Sequence, residues 1–135
     1  MAIQIHYWSK DVERLLAHYV SVLGFELDYR QPEEGAADFC ILTLGEAKLM
    51  IAQDPAALAE SDREDRALLA DVSTRLGRAG PVSVYIAVDD VDAQFAGVAD
   101  RGGDIIEPLW SAPWGLRQFS VRDPDGNLTT FHNTP

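Results

Sequence analysis

The chain has a single cysteine, Cys40, so no disulfide can form within it, and this fits a reducing cytoplasm. Cys40 sits in the apolar run Phe39 to Leu44, where a buried structural thiol is expected. Basic residues are scarce: 11 Lys and Arg face 22 Asp and Glu, and the net charge of −11 excludes the electrostatic grip on phosphate that nucleic-acid binding requires. Such acidity keeps a protein soluble and attracts cationic ligands. No apolar run approaches the ~18 residues of a membrane span. The strand-like start lacks the basic and apolar segments of a signal peptide. Neither a glycine-rich phosphate loop nor a Ser-His-Asp or Cys-His arrangement can be located. What is present, 47% apolar and 24% charged residues in a chain of 135, suits one domain or two modules sharing a core.

The order of elements repeats. Residues 3–8 read as a strand; Asp11 then caps a helix bearing Val12, Leu15, Leu16, Tyr19 and Leu23, which Gly24 stops. Phe25, Leu27 and Tyr29 alternate with charged residues as in a half-buried strand, and strands follow at roughly 38–44 and 47–53, joined by a Gly45-Glu46 hairpin turn. Later, a strand over 82–88 precedes Asp90, which caps a helix carrying Val91, Phe95, Val98 and Ala99 and ending at Gly102-Gly103. A short strand through Ile105-Ile106, another over about 116–122, a type I turn with a bulge at Asp123-Pro124-Asp125-Gly126, and a final strand over 127–132 complete the series. Cap and stop recur at one offset, 79 residues, from Asp11 to Asp90 and from Gly24 to Gly103. The expected fold class is α+β: two tandem βαβββ modules, 1–53 and 81–135, whose curved mixed sheets form a cleft. Between them 54–80, rich in Ala, Asp, Glu and Arg, has helical propensity but no apolar stripe, and reads as a solvated helical linker.

Each sheet turns one face to its own helix, and alternation sorts the side chains. Ile3, Ile5 and Tyr7 form the packing set of the first strand, leaving Gln4, His6 and Trp8 on the other face. In the fourth strand Ala47, Leu49 and Ile51 oppose Lys48, Met50 and Ala52; the fifth leaves Ser83, Tyr85 and Ala87, and the last leaves Leu128, Thr130 and His132. The third strand is apolar throughout, so alternation does not assign its faces. A polar and aromatic face on a curved sheet suits an organic ligand. Trp110 and Trp114, beside Pro113 and Gly115 in a connection, add rigid surfaces for a planar ligand. Arg117 suits either a local acid or a ligand acid or carbonyl. His18 reads as a solvated helix residue.

Three stretches, Lys10-Asp11-Val12-Glu13 through Leu23-Gly24-Phe25-Glu26-Leu27, Val88-Asp89-Asp90-Val91-Asp92, and Phe119-Ser120-Val121-Arg122-Asp123-Pro124-Asp125-Gly126-Asn127, resemble the vicinal oxygen chelate superfamily of glyoxalases, extradiol dioxygenases, fosfomycin-modifying enzymes and bleomycin-resistance proteins. The resemblance implies the paired-module fold and a homodimer whose modules meet edge to edge to close each cleft. It also implies that Gln4, Met50, Ser83 and Thr130 occupy the positions at which the enzymes hold a divalent metal. Met50, Ser83 and Thr130 are poor donors for such an ion, so no metal and no cofactor are expected there. His6 and His132, one pleat further along, lack an evident carboxylate partner for a displaced site.

The expected function is therefore metal-free binding, not catalysis, in the manner of bleomycin-resistance proteins. The protein would be a cytoplasmic homodimer sequestering a small aromatic or cationic compound such as an antibiotic, with no nucleic-acid or membrane partner. Its ligand contacts would be His6, Trp8, Met50, Tyr85, Trp110, Trp114, Arg117, Ser120, Thr130 and His132. The alternatives are a metal-dependent glyoxalase or dioxygenase, a metal-independent isomerase using His6 or His132 as base, and a regulatory module without a small ligand.

Overall fold

A computed structural model describes residues 3–76, 78 and 82–134. Both module helices begin at their expected caps. Asp11 accepts a hydrogen bond from the Arg14 amide at 3.1 Å and Asp90 from the Ala93 amide at 3.0 Å, satisfying amides that the first helical turn leaves without partners. The first helix, α1 (Val12–Ala17), then departs from expectation. It widens into a π-helical turn, His18–Val22, in which the Leu23 amide donates to the His18 carbonyl five residues back. The wider turn keeps Tyr19 and Leu23 on the buried side with Leu15 and Leu16. Gly24, at φ +86°, ends it.

The strands β1 (Ile5–Ser9), β2 (Glu26–Gln31), β3 (Phe39–Leu44) and β4 (Ala47–Gln53) form one sheet in the order β1-β4-β3-β2, with β1 and β4 parallel and the other pairs antiparallel. Gly45 has φ +57° and no non-glycine residue among the described residues has positive φ, so the β3–β4 hairpin closes on the expected two-residue turn with glycine first. After α2 (Ala56–Ala59) and α3 (Arg66–Arg75), the plan repeats with β5 (Ser83–Val88), α4 (Val91–Asp100), β6 (Asp104–Ser111), β7 (Arg117–Arg122) and β8 (Leu128–Asn133), in the order β5-β8-β7-β6. The expected boundary at 80–81 lies outside the described residues. Leu69 and Val72 of α3 are buried, so this helix is anchored and not wholly solvated. None of the described helices is long and apolar enough to cross a membrane.

The two modules share one core. A single cluster joins Val12, Leu15, Tyr19, Leu23, Phe25, Leu42 and Ile51 of the first to Val91, Val98, Phe119, Val121 and Phe131 of the second. Polar contacts tie the helices across it. Gln94 Nε2 donates to the Leu23 carbonyl at 2.8 Å and Arg101 Nε to the Val22 carbonyl at 2.9 Å, satisfying carbonyls that the end of the first helix leaves open. Gly97 leaves room for that guanidinium, which a Cβ there would meet at 2.7 Å.

Asp123, at the β7–β8 turn, is 5% exposed and accepts four hydrogen bonds: from the Asp125 and Asn127 amides, from Asn127 Nδ2, and at 2.8 Å from the Tyr19 hydroxyl of the other module. Gly126, at φ +89°, completes the expected bulged turn. Burial, then the Asp123 charge, raises the Tyr7 hydroxyl to about 12 and Tyr19 well above its usual value. Burial also pushes the Cys40 thiol up to about 11, as befits an inert core residue.

His18 is half-buried, not solvated, and its Nε2 is buried without a partner among the described residues. Burial lowers its pKa below 6.5, although Asp123 and Asp104 act in the opposite sense.

Replacing Tyr19 by Phe leaves a buried carboxylate short of one donor and lowers unfolding free energy by ~2 kcal/mol. Chemical denaturation measures this, and an unchanged midpoint contradicts the role given to the bond. Because the folded-state pKa of His18 is depressed, the unfolded chain takes up the proton first as pH falls through 6.5, and stability is lost in that direction. The wild type therefore loses more stability than His18→Gln between about pH 8 and about pH 5, a window spanning the ordinary histidine titration. Parallel curves for the two proteins would refute this.

Candidate functional site

The faces turned away from the helices carry the candidate site, and strand register arranges them in rows. On the first sheet His6, Met50, Ile41 and Tyr29 stand side by side, followed by Trp8, Ala52, Phe39 and Gln31. This settles the third strand: Cys40 and Leu42, both 0% exposed, face the core, and Phe39, Ile41 and Thr43 share the outward face. His6 stacks on Trp8 with ring centroids 4.5 Å apart, and burial lowers the His6 pKa. Both line a cavity of about 420 Å³ together with Leu68, Val72, Arg75 and Leu76. The inter-module segment thus borders this face, which its composition did not indicate.

On the second sheet one row runs Tyr85, Thr130, Ser120, Glu107, and the next Ala87, His132, Gln118, Trp110. Hydrogen bonds link Glu107, Ser120 and Thr130 of the first row and continue to Ser83 in the neighbouring row. Ser120 Oγ donates to Glu107 Oε1 at 3.0 Å and lies 2.7 Å from Thr130 Oγ1, which lies 2.8 Å from Ser83 Oγ. A hydroxyl has one proton. With Ser120 donating to Glu107, Thr130 must donate to Ser120, and Ser83 to Thr130. Gln118, 2% exposed, joins the rows: its Nε2 donates to Glu107 Oε1 at 3.0 Å, and its Oε1 accepts from Trp114 Nε1 at 3.0 Å. Trp114 meets Trp110 edge-to-face, centroids 5.5 Å apart. His132 lies 5.8 Å from Tyr85 and directs Nδ1 to the Asn133 carbonyl at 2.7 Å, which requires the proton on Nδ1.

The residues expected to contact a ligand therefore fall into two groups. His6, Trp8 and Met50 lie on the first sheet, and Tyr85, Trp110, Trp114, Ser120, Thr130 and His132 on the second. Arg117 belongs to neither. Gln118 faces outward, so Arg117 turns to the helix side, where its guanidinium pairs with Asp92 of α4 at 2.9 Å. That pair also raises the Arg117 pKa and lowers that of Asp92. A second correction concerns Trp110. The short strand expected at Ile105-Ile106 extends to Ser111, so Trp110 is a strand residue and only Trp114 lies in the turn. Pro108 is tolerated because β6 is a sheet edge.

Glu107 escaped the sequence reading. Alternation from Ile105, which packs on the core, would aim it inward. Ile105 pairs with Val121 but Glu107 with Ser120, so Ile106 is an extra residue, and this bulge turns Glu107 outward. A second irregularity between Glu107 and Trp110 brings the tryptophan to the same face.

The positions corresponding to the enzymes' metal ligands do not fit a divalent ion. The Ser83 and Thr130 hydroxyls are bonded to each other, Met50 offers a thioether, and only Gln4 carries an oxygen donor suited to the purpose. Among the described residues no three His, Cys, Asp or Glu side chains converge as a metal site would require.

A larger concavity than the one beside His6 and Trp8 lies elsewhere, a groove of about 1020 Å³ on the helix side, between the edges β1 and β5. Ile3, Ile5, Tyr7, Val84, Ile86 and Val88 contribute to its walls. Of the expected ligand contacts only Tyr85 borders it.

Comparison with curated proteins found no match. Among solved structures, TioX from Micromonospora sp. ML1 superposes with a TM-score of 0.73 at 29% identity, over 98% of this chain and 98% of that chain. The bleomycin-binding protein from bleomycin-producing Streptomyces verticillus, complexed with copper(II)-bleomycin, gives 0.63 at 24% identity, over 100% and 97%. A glyoxalase/bleomycin resistance protein/dioxygenase family enzyme from Burkholderia phytofirmans PsJN gives 0.70 at 18%, over 98% and 97%. The latter two likenesses concern the fold alone. The family model for the Glyoxalase/Bleomycin resistance protein/Dioxygenase superfamily matches residues 3–131, nearly the whole chain, and the protein belongs to that superfamily.

Proposed function

We propose that this protein binds a flat aromatic compound without converting it, as a cytoplasmic homodimer. One observation carries the reading. Where relatives with enzymatic chemistry present metal donors, the second sheet presents hydroxyls committed to one another, next to a crossed pair of tryptophans. The Trp114–Gln118 bond pins one indole, so the aromatic surface is already ordered before a ligand arrives, which lowers the entropic cost of binding. An antibiotic of the size and planarity of those bound by bleomycin-binding relatives is the occupant this surface suits. The cytoplasmic assignment rests on the lone core thiol.

Dimerisation is supported by what one chain leaves open. The second-sheet face stands open, with Trp114 59% and Tyr85 52% exposed, and on the first, which α3 borders on one side, Tyr29 is 46% exposed. β1 and β5 are edges of separate sheets, flanked by the apolar groove, and unpaired edges invite a strand from another chain. Pairing β1 of one protomer with β5 of its partner would set an aromatic first-sheet face beside a hydrogen-bonded second-sheet face, closing a cleft from two halves.

Titration of intrinsic tryptophan fluorescence with planar antibiotics yields saturable binding. Trp110→Ala and Trp114→Ala each weaken it about tenfold, as expected for buried aromatic anchors, and chromatography recovers the compound unchanged. Turnover of the compound, or a stoichiometric divalent metal in protein purified without chelators, would overturn the reading. Light scattering at micromolar concentration gives twice the chain mass of 14.9 kDa; a monomer would remove the cleft from the proposal.

A further inference from the structure

We infer that Glu107 is the specificity anchor of the second-sheet face, and that it selects a planar aromatic compound bearing a cationic N–H donor. The inference rests on the binding reading above and names the ligand chemistry that the same face would take.

The first argument is the count of donors and acceptors. Following the protons from Ser83 to Thr130 to Ser120 to Glu107 leaves none of these three hydroxyls with a hydrogen to offer, while the Tyr85 phenol at the far end of the row keeps its own. The Trp114 Nε1 hydrogen and one of the two on Gln118 Nε2 are likewise used inside the network, and Gln118 is 2% exposed. A ligand carbonyl, phosphate or carboxylate approaching the stretch from Thr130 through Ser120 to Glu107 meets acceptors. A ligand N–H meets partners.

The second argument is the state of the carboxylate. Oε1 of Glu107 receives two donors, from Ser120 and Gln118, which fix its orientation. Oε2 has no hydrogen-bond partner among the described residues, and it is not among the buried unpartnered atoms, so it is accessible to solvent. Glu107 joins no ion pair among the described residues. Arg122, on the same face one row away, is paired with Asp104 at 3.0 Å, and Arg117 is paired with Asp92 on the opposite side. An oriented carboxylate with one free oxygen is the acceptor of a charge-assisted hydrogen bond.

The third argument is what surrounds it. Trp110 projects from the same strand onto the same face, Trp114 is tied through Gln118 to the oxygen that Glu107 keeps occupied, and Tyr85 ends Glu107's own row. Indole and phenol faces attract cations as well as planar rings. Carboxylate, aromatic walls and a net charge of −11 thus favour one ligand type together.

Two acridines sharing one ring system test this: 9-aminoacridine, cationic and N–H bearing at neutral pH, and acridine itself, uncharged slightly above neutrality. In fluorescence and calorimetric titrations the wild type prefers the cation. Glu107→Gln keeps an oxygen for Ser120 and Gln118 but offers the ligand an amide in place of the free oxygen. It weakens the cation about tenfold, the worth of one charge-assisted bond, and alters acridine less than about twofold. Glu60→Gln, which removes the same unit of charge at the end of α2, preserves the preference. Equal losses for both probes in Glu107→Gln, an unaltered preference in that variant, or an equal effect of Glu60→Gln would each overturn the assignment while Trp110- and Trp114-dependent binding still upheld the broader reading. If neither acridine binds the wild type in a manner dependent on these tryptophans, both readings fall together.

Discussion

A carboxylate buried between two modules is tolerable only if every lone pair facing protein is used, and Asp123 meets that condition with donors from both modules. Three of its four hydrogen bonds shape the β7–β8 turn and the fourth comes from Tyr19 at the π-helical widening of the first helix. Turn geometry and module docking are therefore not independent. Displacing the first helix would strip a donor from the turn, and a misformed turn would leave the Tyr19 hydroxyl facing an apolar core. Unsatisfied buried groups of this kind cost far more than a hydrogen bond contributes when present. The contact specifies how the modules meet, and the hydrophobic cluster then fills the space it defines.

With the helices committed to this shared core, each sheet has only its outward face for function. The two faces are chemically unlike. The first is an apolar and aromatic surface of Trp8, Phe39, Ile41 and Met50 bordered by α3; the second is a polar row wedged against tryptophans. Two local irregularities in β6 create the second arrangement by bringing Glu107 and Trp110, three apart in sequence, to the same side of an edge strand. An edge accommodates such bulges because only one neighbour has to adjust.

Much of this was legible in the sequence, for identifiable reasons. Capping aspartates and stop glycines have chemistry that depends on few neighbours, so Asp11, Gly24, Asp90 and the Asp123 turn marked the repeat directly. Strict alternation sorted β1, β4, β5 and β8 correctly. It was silent on β3, where every position is apolar, and it failed in β6, because a bulge leaves no compositional trace. The same alternation, applied from Ser120, would have turned Arg117 toward the helix and its partner Asp92. The π-helical turn was hidden because a widened turn keeps Tyr19 and Leu23 on the buried side much as a regular one does. Satellite burial of Leu69 and Val72 escaped because two apolar contacts make no stripe.

The bond between Arg101 and the Val22 carbonyl joins positions separated by the repeat length itself, 79 residues, so the two partners occupy equivalent places in their respective halves. Near a pseudo-twofold axis, equivalent places confront each other. Two valines there would leave both helix ends uncapped, and two arginines would bring like charges together while competing for the space that Gly97 provides on one side only. The halves have become lock and key. Two copies of either half alone could not form this contact, because each copy would bring the same side chain to both sides of it.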